Sequence, residues 1–166
     1  MFSSIKTFLA VWEHETASTL ACFKNLTDES LSKDLVLISD YRTIDRLVNH
    51  IVDCAASIPH EATLPVAGYS KQHYHTKEEI IAAYSKLTDA VKQAAASWTD
   101  ATLQEETPMY GENWTKGFAL GVTVLHQTHH RGQLTVLMRA AGLKVPGVYG
   151  PAKEEWEAMS FLPAAD

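Results

Sequence analysis

Eight histidines in a chain of 166 residues are its most unusual chemical feature. Two of them bracket His126-Gln127-Thr128-His129-His130, four residues apart. On a helix, that spacing puts both imidazoles on one face with Cβ atoms about 5–6 Å apart, close enough to hold one metal ion. The spacing alone is weak, since eight histidines scattered at random give roughly 0.4 such pairs in a chain of this length. Placement strengthens it. The helical pattern turns Ala119, Val122, His126, His130, Gln133, Leu137 and Ala140 inward, so both rings fall on an apolar stripe. Buried imidazole nitrogens need partners, and a metal would satisfy both. The stretch overlaps the zinc-protease pattern His-Glu-x-x-His, but Gln127 stands where the glutamate belongs. An amide cannot take up a proton near neutral pH, which excludes that reading.

A third ligand has to come from elsewhere in the chain. His50 lies at the edge of another apolar stripe, with Leu47 and Cys54 on its own face. It reads either as a boundary histidine with one satisfied nitrogen or as a partner for His126 and His130. Three imidazoles with an open position form the arrangement of catalytic zinc, and also suit nickel, iron or manganese. Asp53 reads as an acceptor for an imidazole N–H, as a weak general base, or as a solvated carboxylate. Cys54 reads as small-residue packing or as an added thiolate ligand. His129 reads as a proton shuttle at the pocket mouth or as a surface histidine. Gln133 faces inward, and Arg131, with Thr128, Thr135 and Arg139, faces outward. His73-Tyr74-His75 reads as exposed loop, and His14 and His60 have no constellation around them. No Glu-x-x-His pair, glycine-rich phosphate loop or Gly-x-Ser-x-Gly elbow is present, so di-iron, nucleotide and serine-hydrolase schemes find no support.

Four helices must position these residues. The first carries Ile5, Phe8, Leu9, Trp12, Leu20 and Phe23 on one face and stops near Asn25 to Asp28. The second runs from about Leu35 to Ile58, with Leu37, Ile44, Val48, Ile51 and Ala55 as its stripe, and Pro59 ends it. The third opens with the capping box Thr76-Lys77-Glu78-Glu79 and shows Ile80, Tyr84, Leu87, Val91, Ala95 and Trp98. The fourth begins near Asn113 and ends at Gly142. No strand-like alternation competes, so the chain reads as an all-α four-helix bundle, one domain over 1–166. The link from Pro59 to His75 reaches up to about 60 Å extended, while a helix of about 22 residues is about 33 Å long. It can therefore cross the bundle and leave helices two and three parallel. The tail, 143–166, holds a short helical turn near Glu154 to Met159 and is expected to pack on one end of the bundle.

Composition narrows the function. The net charge of −6 (Lys+Arg 14 against Asp+Glu 20) speaks against nucleic acid as a partner, because phosphate binding needs clustered cations. No run of 18 apolar residues and no signal peptide is read, so neither a membrane span nor export is expected. Cys22 and Cys54 are too few for a disulfide framework and fit the cytoplasm.

Two motifs, Arg42-Thr43-Ile44-x-x-Leu47-x-x-His50-Ile51 and His126-x-x-x-His130-Arg131-Gly132-Gln133 followed by Leu134, Arg139 and Gly142, resemble the DinB/YfiT-like family of metal-dependent bundle proteins. The helix order and the long second connection agree with it. The resemblance implies a divalent metal on His50, His126 and His130, an up-down-down-up bundle and a homodimer. It further implies a small-molecule substrate and, as in some relatives, transfer or isomerisation using a low-molecular-weight thiol. Apolar residues on helix backs, such as Val52 and Val124, point the same way for the dimer. Family members often carry an aromatic or acidic residue after the helix-two histidine, where this chain has Val52-Asp53-Cys54. The chain is thus expected to be a metal-dependent transferase or hydrolase. The alternatives are a non-catalytic metal-binding stress-response bundle and an apolar-ligand bundle without metal.

Overall fold

A computed structural model describes residues 1–33 and 43–156; Leu35, Leu37, Arg42 and Met159 lie outside the described residues. The helices are α1 (Ile5–Lys24), α2 (Asp28–Ser32), α3 (Ile44–Glu61), α4 (Lys77–Ala95) and α5 (Lys116–Ala140), with a hairpin of β1 (Glu106–Met109) and β2 (Glu112–Thr115) before α5.

Side-chain caps set three of the long-helix starts. Thr43, Thr76 and Thr115 accept from the backbone N–H groups of Arg46, Glu79 and Phe118, satisfying donors that a helix start leaves unpaired. Thr76 and Glu79 form the expected capping box. The end of α5 is also as expected. Gly142 (φ +81) takes the left-handed position, its N–H donates to Arg139 O and that of Leu143 to Met138 O, closing the helix in a Schellman motif.

Long-range contacts fix the helix directions. Phe2 N–H donates to Gly117 O, and further along Arg131 meets Glu15, so α5 runs parallel to α1. Ile5 N–H donates to Asp100 and Trp12 Nε1 to Thr88 O, so α4 runs antiparallel to α1. His50 meets His130 near one end of α3, and Ile58 and Ala62 pack with Ala119 near the other, so α3 opposes α5. The order is up-down-down-up, with α1 and α3 each packed against both α4 and α5. Trp12, Tyr84, Phe8 and Phe23 are fully buried at the centre, and each contributes roughly 1.5–3 kcal/mol through the apolar surface it removes from water.

The segment joining α3 to α4 runs back along α3. Tyr69 OH donates to Asp53. Further along, the Asn49 amide donates to Tyr74 O (3.0 Å) and accepts from Tyr74 N–H (2.7 Å). A buried amide here pairs with a backbone as a neighbouring strand would. Lys77 N–H then donates to Asp28 of α2, delivering the chain to the start of α4. That return path keeps α3 and α4 parallel.

Several sequence expectations are corrected. Pro59 does not end α3, which continues to Glu61; the ring is accommodated in the last turn, where one missing N–H removes a single bond. Residues 106–115 form a hairpin rather than plain loop, so α5 starts at Lys116 and not near Asn113. The turn uses Tyr110 (φ 52) and Gly111 (φ 86), two left-handed residues as a tight hairpin requires. Tyrosine in place of the usual asparagine disguises the signal. Trp98 lies beyond α4. Val52 and Val124 are buried, so they supply no external face. The buried set of α5 is also rotated. Ala119 and His130 face inward as expected, but Leu120, Thr123, Gln127, Arg131, Leu134 and Met138 are buried too, while Ala140 is exposed and Val122, His126, Gln133 and Leu137 are half-buried. The cause is that α5 packs against both α1 and α3 and so buries two faces.

Candidate metal centre

The geometry of α3 and α5 brings three imidazoles to one point. His50 Nε2 lies 3.0 Å from His126 Nε2 and 3.0 Å from His130 Nε2, and the last two are 3.1 Å apart. The rings meet edge to face, with interplanar angles of 67°, 81° and 77°. The short Nε2–Nε2 distances show that each ring presents that nitrogen to the common point. His130 is buried, while His50 and His126 are half-buried, which leaves the site reachable from solvent.

Three converging Nε2 atoms concentrate electron density that a cation would offset. An ion roughly 2.0–2.1 Å from each nitrogen separates its ligand atoms by roughly 3.3 Å if tetrahedral and roughly 2.9 Å if octahedral. The observed 3.0–3.1 Å falls between these values. The donor set suits a divalent transition metal. Cys54 adds a sulfur one turn beyond His50: its Sγ and one nitrogen each of His50 and His126 all lie within 4.8 Å of one another, a group that could also hold a metal ion. The imidazole triangle is the tighter of the two sets. Burial, and secondarily the Asp53 charge, push the Cys54 thiol up to about 12, and its Sγ lies 3.5 Å from Ile51 O.

The other residues singled out in the sequence go to different places. The Asp53 carboxylate accepts from Tyr69 OH at 3.0 Å, with Lys71 Nζ at 3.9 Å. The His129 ring nitrogen meets the Gln133 amide at 3.0 Å, and Gln133 in turn meets His130. Gln127 points into the core, where Tyr84 OH donates to its Oε1. Its side chain thus turns away from the imidazoles it separates in sequence. His73 pairs with Asp45, His60 lies against Tyr69, and His14 against Tyr149.

Arg131 departs furthest from expectation. Its guanidinium does not face outward but is 2% exposed and bound to α1. Nη2 donates to Glu15 Oε2 (2.7 Å) and to Tyr149 OH (2.8 Å), and Nη1 donates to Glu15 O and Thr19 Oγ1. Tyr149 OH lies 2.8 and 2.9 Å from the two carboxylate oxygens of Glu15, and Thr128 also donates to that group. Burial raises the Glu15 carboxyl, but the hydrogen bonds from Arg131 and Tyr149 and the Arg131 charge outweigh it and hold the pKa below the ordinary value. The clamp begins one residue after His130, so it fixes the helix that carries two of the imidazoles. A signal for it was present: Glu15 sits three residues after Trp12 and four before Thr19, on the buried face of α1.

Together these features define an up-down-down-up helical bundle with a three-imidazole cluster between its second and fourth long helices. The chain belongs to the DinB family, whose model matches residues 1–164. YrdA, an uncharacterized protein of Bacillus subtilis (strain 168), is 40% identical over 159 residues, 94% of each chain. A DinB-like protein from Bacillus cereus ATCC 10987 is 37% identical, with a TM-score of 0.83 over 90% of this chain and 100% of the other. YjoA, a DinB-like protein of Bacillus subtilis, is 16% identical with a TM-score of 0.67 over 86% and 97%, and shows the shared fold alone.

Proposed function

We propose that the chain is a metal-dependent enzyme whose divalent ion, zinc or nickel in the first place and iron or manganese as further candidates, is held by His50, His126 and His130. The observation that carries this reading is the triangle of Nε2 atoms 3.0–3.1 Å on a side. A divalent ion there would supply Lewis acidity, suited to transferring a low-molecular-weight thiol to an electrophile or to hydrolysing a small-molecule substrate. The half-buried faces of His50 and His126 are the approach for substrate, and His130 is the enclosed ligand. Asp53, held by Tyr69 OH, is the proton acceptor we assign to the rim, and His129 acts through Gln133. Support for the thiol comes from the family resemblance alone. Both cysteines are free and buried, which supports the cytoplasm as the location; no helix among the described residues is long and apolar enough to cross a membrane. We also propose a homodimer, with the exposed Phe118, Leu125 and Val136 of α5 as its apolar contact.

A second reading, a non-catalytic metal-binding bundle, is favoured by Cys54, whose sulfur could close the coordination shell. Metal analysis and a turnover screen separate the two. The purified chain should hold about one ion, lost in His126→Ala, and show metal-dependent turnover with a thiol and a chlorinated or epoxide electrophile. A thiolate charge-transfer band in the cobalt-loaded protein, abolished in Cys54→Ala, with no metal-dependent turnover, would favour the second reading. Failure of zinc, nickel, cobalt, iron and manganese all to bind would reject both.

A further inference from the structure

We infer that Gln133 is a positioning residue that locks His130 in its Nδ1–H tautomer and so holds the Nε2 lone pair towards His50 and His126. The inference rests on the metal-site reading and deepens it. Gln133 lies three residues after His130 and four after His129, so its amide reaches both rings. Its Oε1 is 2.8 Å from His130 Nδ1, and its Nε2 is 3.0 Å from His129 Nε2.

The chemistry of the amide decides the proton positions. An amide oxygen can only accept, so in the neutral ring His130 Nδ1 carries the hydrogen and His130 Nε2 the lone pair. The reversed amide would point its NH2 group at His130 Nδ1. That nitrogen would then have to accept, and the proton would move to Nε2, inside the imidazole triangle, where it blocks a cation. His129 opposes the reversal in the tautomer whose Nε2 bears the lone pair: that nitrogen accepts from the Gln133 NH2 group and holds the amide in the orientation that leaves His130 ready to ligate. An exposed histidine therefore acts at one remove on a buried one, and the half-buried Gln133 is the link.

The predicted consequence is a specific loss of metal affinity. Removing an outer partner of a ligating histidine weakens metal binding about 10- to 100-fold. The test compares wild type, Gln133→Leu and Gln133→Glu. Long-range 15N–1H spectra of the metal-free proteins at about pH 8, above the ordinary histidine pKa, report the His130 tautomer. Zinc competition against a chromophoric chelator reports affinity. Wild type should show the Nδ1–H form. Gln133→Leu should lose that preference and bind zinc about 10- to 100-fold more weakly, while circular dichroism stays unchanged. Gln133→Glu, whose carboxylate also only accepts, should keep the tautomer and bind within about tenfold of wild type. An Nε2–H His130 in the wild type, or a Gln133→Leu protein that binds zinc as tightly as wild type, overturns the inference. If the wild type binds no metal, the proposed function falls, and the tautomer spectra decide the role of Gln133 by themselves.

Discussion

Glu15→Gln is the most informative single perturbation outside the imidazole cluster. Glu15 and Arg131 have side chains 6% and 2% exposed and meet at 2.7 Å. The substitution keeps the volume and leaves Arg131 its bonds to Glu15 O and Thr19 Oγ1. What it removes is the charge that compensates a guanidinium shut away from water. Breaking a buried pair on one side destabilises by about 3–5 kcal/mol. The retained bonds lower the expectation towards the bottom of that range, about 3 kcal/mol. For a chain of this size 1 kcal/mol shifts Tm by about 2–4 °C, so a fall of about 6–12 °C is expected. Tyr149→Phe deletes the hydroxyl shared by Glu15 and Arg131 and should lower stability by about 1–2 kcal/mol. The double variant should lose less than the sum, because the two changes disrupt one network. The pH dependence follows from the lowered Glu15 pKa. Its folded value lies below the unfolded one, so the unfolded chain binds the proton more readily. This contribution is fully present above the ordinary carboxyl value of 4.5 and is lost as pH falls through the folded value. Glu15→Gln should therefore flatten the acid limb of the stability curve. Urea denaturation at a series of pH values measures both effects. A Glu15→Gln protein within about 1 kcal/mol of wild type at neutral pH, with an unaltered acid limb, would refute the claim that this pair locks α5 to α1.

Other consequences can be measured separately. Zinc or nickel at about 100 times its dissociation constant should stabilise the wild type by about 2.7 kcal/mol, seen as a Tm rise that is absent in His50→Ala, His126→Ala and His130→Ala. Asn49→Ala removes both bonds to the Tyr74 backbone; a loss of about 1–3 kcal/mol and faster amide exchange around Tyr74 are expected. Gly117→Ala would drive a Cβ into the backbone oxygen of Phe2, so a stability loss of about 1–3 kcal/mol is expected in chemical denaturation.

Much of this protein is legible from spacing. Helical periodicity, the Thr76–Glu79 capping box and Gly142 mark where long helices start or stop, because those signals act within a few residues. The His126/His130 pair is visible for the same reason: one helix turn brings the two rings together whatever else the chain does. Meeting His50 is different. That residue is 76 positions from His126, and only the up-down-down-up packing, with the α3–α4 segment strapped back along α3 by Asn49, carries it to the same point. Tertiary structure also decided the depth of Arg131. On a single helix it lies on the polar side, but α5 is enclosed by two neighbours, and Glu15 of α1 neutralises a charge that no local pattern could pair. Local spacing thus determined the helices and the two-histidine half of the cluster. The third imidazole and the buried ion pair were settled by packing, because each depends on groups that meet only when helices distant in sequence are pressed into one arrangement.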